Sequence, residues 1–237
     1  MVKQKQSKYR SLSRGLEILY EDGDLLVVNK PAGLLTVKTA TEKTRTVYRI
    51  LTDYVRKGSL KSRKQIYTVH RLDRWTWGVL IFAKSEAAMN RLKDRWAETK
   101  KTYIVVVNGH LKAKEGVITS YLAEDTRHVV YSTPNPANGK LAQTAYKVLK
   151  ETARFSLLEV DLLTGRKNQI RVHMADQGNP VVGDRKYGDN TEGFERLALH
   201  SESISFPHPS RDERMTVEAK VPGCFREWVG AIPKTGE

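Results

Sequence analysis

The stretch LEILYEDGDLLVVNKPAGLL, residues 16–35, constrains the fold most strongly. Two apolar runs flank the turn formers Asp22, Gly23 and Asp24, and Lys30-Pro31-Ala32-Gly33 stops the second run. That order reads as a strand, a tight turn, a second strand and a breaker. Further short apolar runs follow. GVLIFAK and KTYIVVVNG each read as a buried strand, and TAYKVLKETARFSLLEVDLLTG as two strands joined through Glu151 to Arg154. LALHSESISF and MTVEAKVP supply two late strands. Helical spacing is rarer: Val47, Ile50, Leu51, Tyr54 and Val55 recur after Thr46, until Gly58 ends the run. Ser85 is placed to cap a second helix with Ala88, Met89, Leu92 and Trp96 on its apolar face. NQIRVHMADQG, stopped by Gly178, and CFREWVGAI read as short helices. Strands outnumber helices and hairpin-like pairs dominate, so the expected class is α+β with a mixed, mostly antiparallel central sheet flanked by helices and loops. Residues 1–14 carry Lys3, Lys5, Lys8, Arg10 and Arg14 without apolar period, a basic flexible arm; residues 15–237 read as a single domain.

Composition narrows the function. Hydrophobic residues make up 39% and charged residues 29%, which excludes a disordered chain. No apolar run approaches the roughly 18 residues of a bilayer span, and the N-terminus has no signal-like apolar core. A lone Cys224 and scattered histidines offer no zinc spacing, so no metal is expected and a cytoplasmic location is. The net charge of +14 is the informative number. Such an excess carries self-repulsion, and its commonest use is attraction of a polyanion such as nucleic acid. No phosphate loop, dinucleotide fingerprint, GxSxG elbow or HExxH motif occurs, which argues against ATP, nicotinamide, serine-hydrolase and zinc chemistry.

The candidate centre is HRLDRWTWGVLIFAKS, residues 70–85. Asp73 lies between Arg71 and Arg74, whose charges favour an ionised carboxylate. An ionised acid suits a nucleophile or general base rather than a general acid. The bland reading is a surface Asp in weak salt bridges, but a loop braced by an apolar strand is where catalytic groups are often found. A two-carboxylate glycosidase also uses an Asp nucleophile, but no second acid is marked out and the basic charge suits a neutral sugar poorly.

The stretch resembles the HRLDxxTSGLLLFAKS motif of RNA pseudouridine synthases of the RluA family. YEDGDLLVVNKPAGLL, KKTYIVVVNG, LLTGRKNQIRVHMADQGNPVVGDRKYG and LALHSESISFPHP resemble that family's other motifs, in family order from about Leu16 to Pro209. The resemblance implies a pseudouridine synthase fold, a structured rRNA or tRNA as partner and no metal or nucleotide cofactor. It implies a catalytic domain without the additional small RNA-binding domain that many members carry in front, and a monomer is expected. By the same resemblance Asp73 is the nucleophile, Tyr103 stacks on the uracil and is a candidate to take the C5 proton, and Arg171 pairs with the catalytic carboxylate. Arg166 is the nearby competitor for the latter role, and otherwise an RNA contact. Arg71 and Arg74 flank the acid, with Arg71 placed to brace the stack vacated by a flipped uridine. Lys30 either touches RNA backbone or simply solvates a turn. Two departures stand out: Trp77 where the family has Ser, and Asn168 where it has His. Trp77 is either an added stacking platform for RNA or a core residue packed against the helix carrying Trp96. These departures are the sole support for an alternative, an RNA-binding or RNA-remodelling protein with little activity.

Overall fold

The computed structural model describes residues 10–59, 61–188 and 196–233. In chain order the strands are β1 (Arg10–Ser11), β2 (Glu17–Glu21), β3 (Leu25–Lys30), β4 (Tyr67–Thr68), β5 (Trp77–Ala83), β6 (Lys100–Asn108), β7 (Glu115–Glu124), β8 (Val130–Thr133), β9 (Lys140–Glu151), β10 (Phe155–Leu162), β11 (Leu199–Pro207) and β12 (Arg214–Glu218). The helices are α1 (Val47–Arg56), α2 (Glu86–Asp94), α3 (Gln169–Asp176) and α4 (Phe225–Val229). The pairings β1–β2, β2–β3, β3–β5, β4–β5, β6–β10, β9–β10, β7–β9, β7–β8 and β11–β12 are antiparallel, and an isolated parallel bridge joins Leu35 and Thr46.

The chain packs as two compact units. The first comprises the described residues of Met1–Thr99 and Ser201–Lys220, the second those of Lys100–His200 and Val221–Glu237. In the first unit β2 and β3 form the expected hairpin, with Ile18 opposite Val28 and a bulge between Ile18 and Tyr20. The carboxylate of Asp22 accepts the amides of Asp24 and Leu25 at 2.9 and 2.7 Å, which closes the turn. Strand β3 then pairs with β5, Val28 opposite Leu80. Leu25, Val27, Val79 and Ile81 point into a core shared with Ala88 and Leu92 of α2 and with Ile204, Phe206, Met215 and Val217. The opposite faces of β3 and β5, carrying Leu26, Val28, Leu80 and Phe82, are fully buried too. Both strands therefore read as continuous apolar runs rather than alternating ones.

Capping follows the sequence closely. The side chains of Thr46 and Ser85 accept the amides of Arg49 and Ala88, and α1 stops at Lys57, whose backbone is left-handed. Trp96 lies beyond α2, in a one-turn 3-10 segment. The first nine residues of the basic arm lie outside the described residues; Arg10 and Ser11 pair with Ile18 and Glu17 as β1, and the Arg10 guanidinium sits 5.1 Å from the Tyr54 ring centroid.

In the second unit the strands run β6-β10-β9-β7-β8. Tyr103 of β6 stands opposite Val160 of β10, and Val160 opposite Tyr146 of β9. Val172 of α3 packs on Leu122, Val130 and Ala142. His173 is buried in the same helix, its ring nitrogens 2.9 Å from Ser120 Oγ and from Thr144 Oγ1, and burial lowers its pKa.

Candidate active site

Asp73 occupies the loop between β4 and β5, and the segment after β3 fixes that loop on both sides of it. Thr36 Oγ1 donates to the Leu72 carbonyl at 2.9 Å and accepts the Leu72 amide at 3.2 Å. The Arg74 carbonyl accepts the Gly33 amide at 2.8 Å, while Arg74 Nε donates to the Gly33 carbonyl at 3.1 Å. Leu72 is buried and Asp73 half-buried, so the carboxylate sits between two immobilised neighbours and reaches solvent. The Thr76 amide donates to the Asp73 carbonyl at 3.2 Å, which makes residues 73–76 a turn with Arg74 and Trp75 at its corner. Asp is a favoured first residue of such turns. Arg71 and Arg74 are both exposed beside it.

Lys30 departs from both alternatives read in the sequence. It is completely buried, and Nζ donates to the carbonyls of Pro31, Leu34 and Arg74 at 2.9, 2.9 and 3.0 Å. All three N–H bonds of the ammonium are used, so it neither reaches RNA backbone nor solvates the turn. Burial pushes its pKa down to about 7, against the opposing pull of the Asp73 charge. The apolar strand carries the lysine inward, and the Pro-Ala-Gly turn folds its carbonyls around the ammonium. Lys30 is thus a positioning group for the loop.

Gly78 permits the backbone path behind the acid. Its φ is +107, and a Cβ there would lie 2.1 Å from the Ser201 carbonyl oxygen. Trp77, one residue earlier, is half-buried, and its Nε1 is buried with no hydrogen-bond acceptor among the described residues. The Trp96 ring meets His70 at 5.1 Å, and His70 Nε2 accepts the Ile81 amide at 3.1 Å.

The second unit places Tyr103 in the middle of β6, buried. Arg171 of α3 forms a fork with Asp184: Nε to Oδ2 and Nη2 to Oδ1, both at 2.7 Å. Asp184 is fully buried and also accepts the amides of Lys186 and Tyr187 at 2.9 and 3.1 Å. The Tyr187 ring lies 5.0 Å from the guanidinium, and its hydroxyl donates to Asn168 Oδ1 at 3.2 Å. Asn168 precedes α3 with φ of 53, a left-handed conformation that asparagine tolerates well.

Sequence reasoning missed Asp184, although GDRKYG was in view; thirteen residues separate it from Arg171, and no helical or strand spacing links them. It also missed Gln169. This buried amide donates to the Gln143 carbonyl and Thr144 Oγ1, both at 2.9 Å, and accepts from Thr164 Oγ1 and the Arg166 amide at 2.8 and 2.9 Å. Arg166 is exposed, its Nε donating to the Leu141 carbonyl at 2.9 Å. With Lys140 and Lys167 it borders a surface cavity of about 560 Å³. The first unit therefore assembles Lys30, Arg71, Asp73, Arg74 and Trp77 around one loop, and the second carries Tyr103, Arg166 and Arg171. Among the described residues no cluster of three His, Cys, Asp or Glu side chains is arranged to hold a metal.

Comparison with known proteins gives a consistent set. The model of a family described as RNA pseudouridylate synthase matches residues 24–176. The dual-specificity RNA pseudouridine synthase RluA of Escherichia coli (strain K12) is 38% identical over 219 residues, covering 86% of this chain and 92% of that protein. The tRNA pseudouridine synthase C of Haemophilus influenzae is 33% identical over 236 residues, covering 90% of this chain and 95% of that one. Among solved structures, human RNA Pseudouridylate Synthase Domain Containing 4 superposes with a TM-score of 0.72 at 24% identity, covering 88% of this chain and 89% of the other, a likeness of fold.

Proposed function

This chain belongs to the RluA family of RNA pseudouridine synthases, and we propose from that premise that Asp73 is the carboxylate that attacks the target uridine. The protein is an enzyme, and its reaction is the isomerisation of uridine in RNA to pseudouridine. In that reaction the N-glycosidic bond breaks, the uracil turns, and C5 bonds to ribose C1′ while its proton leaves. Substrate and product have one formula, so the chemistry needs neither redox partner nor donor group. This supports action without metal or nucleotide cofactor.

The observation that carries the assignment is the position of Asp73: half-exposed, between backbone groups pinned by Thr36, Lys30 and Gly33, with two exposed arginines alongside. A carboxylate held this way keeps its orientation when attacked RNA is present, whether it adds at ribose C1′ or at uracil C6. Tyr103 stacks on the uracil and receives the C5 proton, and Arg171, oriented by Asp184, is the basic residue that pairs with the attacking carboxylate. Arg71 braces the stack that the flipped uridine leaves, and Arg74 and Arg166 contact phosphate. Trp77 shapes the floor of the loop. The substrate is a structured rRNA or tRNA, as the names of the relatives indicate for those proteins, and the enzyme acts as a cytoplasmic monomer.

The test uses rRNA and tRNA pools, each tritiated at uridine C5, and counts tritium released to water. Release from at least one pool by the wild type, and from neither by Asp73→Asn, supports the reading. RNA binding without release from either pool would instead favour a binding module.

A further inference from the structure

Trp75 is the large aromatic that the loop leaves outside. It is 47% exposed although it adjoins a residue assigned to the chemistry. Exposed single aromatics are ordinary, but three features set this one apart. First, its backbone is fixed. Trp75 stands at the corner of the 73–76 turn, directly after Arg74, whose carbonyl accepts from both Lys30 Nζ and the Gly33 amide. Second, its ring has a prepared seat. Gly33 has φ of +85, and a Cβ there would come within 3.3 Å of Trp75 Cζ3, so the glycine permits the indole to lie against the backbone. Third, a cation accompanies the ring: the Arg74 guanidinium lies over the indole, 5.2 Å from its centroid, and Arg71, four residues earlier in the chain, is exposed. A rigid indole with an arginine beside it is the usual platform for an unpaired base with its phosphate.

We propose that Trp75 is a stacking subsite for a nucleobase of the RNA substrate adjacent to the uridine that reacts, and so a determinant of which RNA sites this enzyme accepts. The inference rests on Asp73 being the reacting carboxylate. Two residues of chain span at most about 7 Å, so the base that Trp75 meets lies within a nucleotide or so of the reacting one. The platform engages the neighbour and leaves the target uracil to the catalytic groups. Stacking has no hydrogen-bond code, so the subsite favours an unstacked neighbour of any identity, with larger purines held most strongly.

The experiment compares wild type, Trp75→Ala and Trp75→Phe by steady-state tritium release from the pool the wild type modifies. Trp75→Ala is expected to raise KM about tenfold with kcat within about twofold, and Trp75→Phe, which keeps an aromatic plate, to raise KM by less than about threefold. An unchanged KM in Trp75→Ala overturns the proposal. A second measurement stands apart from turnover and from any folding defect of the alanine variant. Total tRNA and rRNA are titrated into Asp73→Asn and into Asp73→Asn with Trp75→Phe, following tryptophan emission. Quenching that is largely lost with Trp75→Phe supports the subsite; equal quenching in both contradicts it. If the wild type released no tritium at all, the reading of Asp73 would fail while the quenching comparison still decided the role of Trp75.

Discussion

Arg171 and Asp184 form a demanding ion pair, because the carboxylate is fully buried and the guanidinium nearly so. Removing one charge from such a pair leaves the other desolvated and uncompensated, at about 3–5 kcal/mol. Asp184→Asn keeps the shape and removes the charge; urea unfolding is expected to show a loss of about 3 kcal/mol or more. A loss below about 1 kcal/mol would mean that the pair is solvated and does not orient Arg171. A second carboxylate makes a pH prediction. Burial alone would raise the pKa of Asp22, but hydrogen bonds from His208, Tyr20 and the amides of Leu25 and Asp24 outweigh it and hold it at about 2, against an ordinary 3.8. The folded value is the lower one, so the stabilisation is present above about pH 4 and disappears as pH falls through 2. The difference corresponds to at most about 2 kcal/mol, and solvent screening of this partly exposed carboxylate brings it nearer about 1 kcal/mol. Asp22→Asn should therefore flatten the fall in urea midpoint between pH 4 and pH 2; an unaltered slope would contradict the assignment. At this scale the motifs single out Asp73, Tyr103 and Arg171 as the residues proposed for the chemistry. The sequence could not show Lys30 buried, because a lysine at the end of an apolar strand is expected to leave the core unless the next turn supplies acceptors, and that turn's carbonyl directions are not written in residue types.

Elements were legible where the apolar pattern was continuous. The hairpin of β2 and β3, the helix α1 with its Thr46 cap, β5, β6, and the pair β9 and β10 all lie where their runs predict. Strands β7 and β8 were not anticipated. In β7 most residues are exposed or half-buried, and the run GVITSYLA mixes small and polar residues, so it lacks a buried strand's signature. Pairing on both sides with β8 and β9, the next two strands along the chain, makes it a strand. Trp96 failed as a member of the α2 face because the helix ends at Asp94 and a 3-10 turn redirects the chain toward His70. A very tight backbone contact is at Gly78, where the start of β5 passes the Ser201 carbonyl. Gly78→Ala adds a methyl at positive φ against backbone that has no side-chain freedom to yield, and should cost about 3 kcal/mol or more. Thermal melting checks this; a Tm within a degree or so of wild type would show that the backbone relaxes freely.

For the whole molecule, the described residues of the stretch 15–237, read as one domain, pack as two compact units, and residue types do not announce the division. Residues 201–220 return to the first unit between two stretches of the second, so no linker marks a boundary. Among the described residues no helix is long and apolar enough to cross a membrane. The charge of +14 was plain from the start and makes a prediction independent of any single residue. Each phosphate neutralised contributes about −0.7 to −0.9 to the slope of log affinity against log salt, so five contacts give about −4. Filter binding across a salt series should show such a slope; a flat response would mean that the basic surface is not where RNA lies. The central claim is chemical, and single-turnover release of C5 tritium at saturating RNA tests it most directly. For Asp73→Asn the expected result is no release above background with RNA affinity kept close to wild type; release within about tenfold of wild type would show that another group makes the attack.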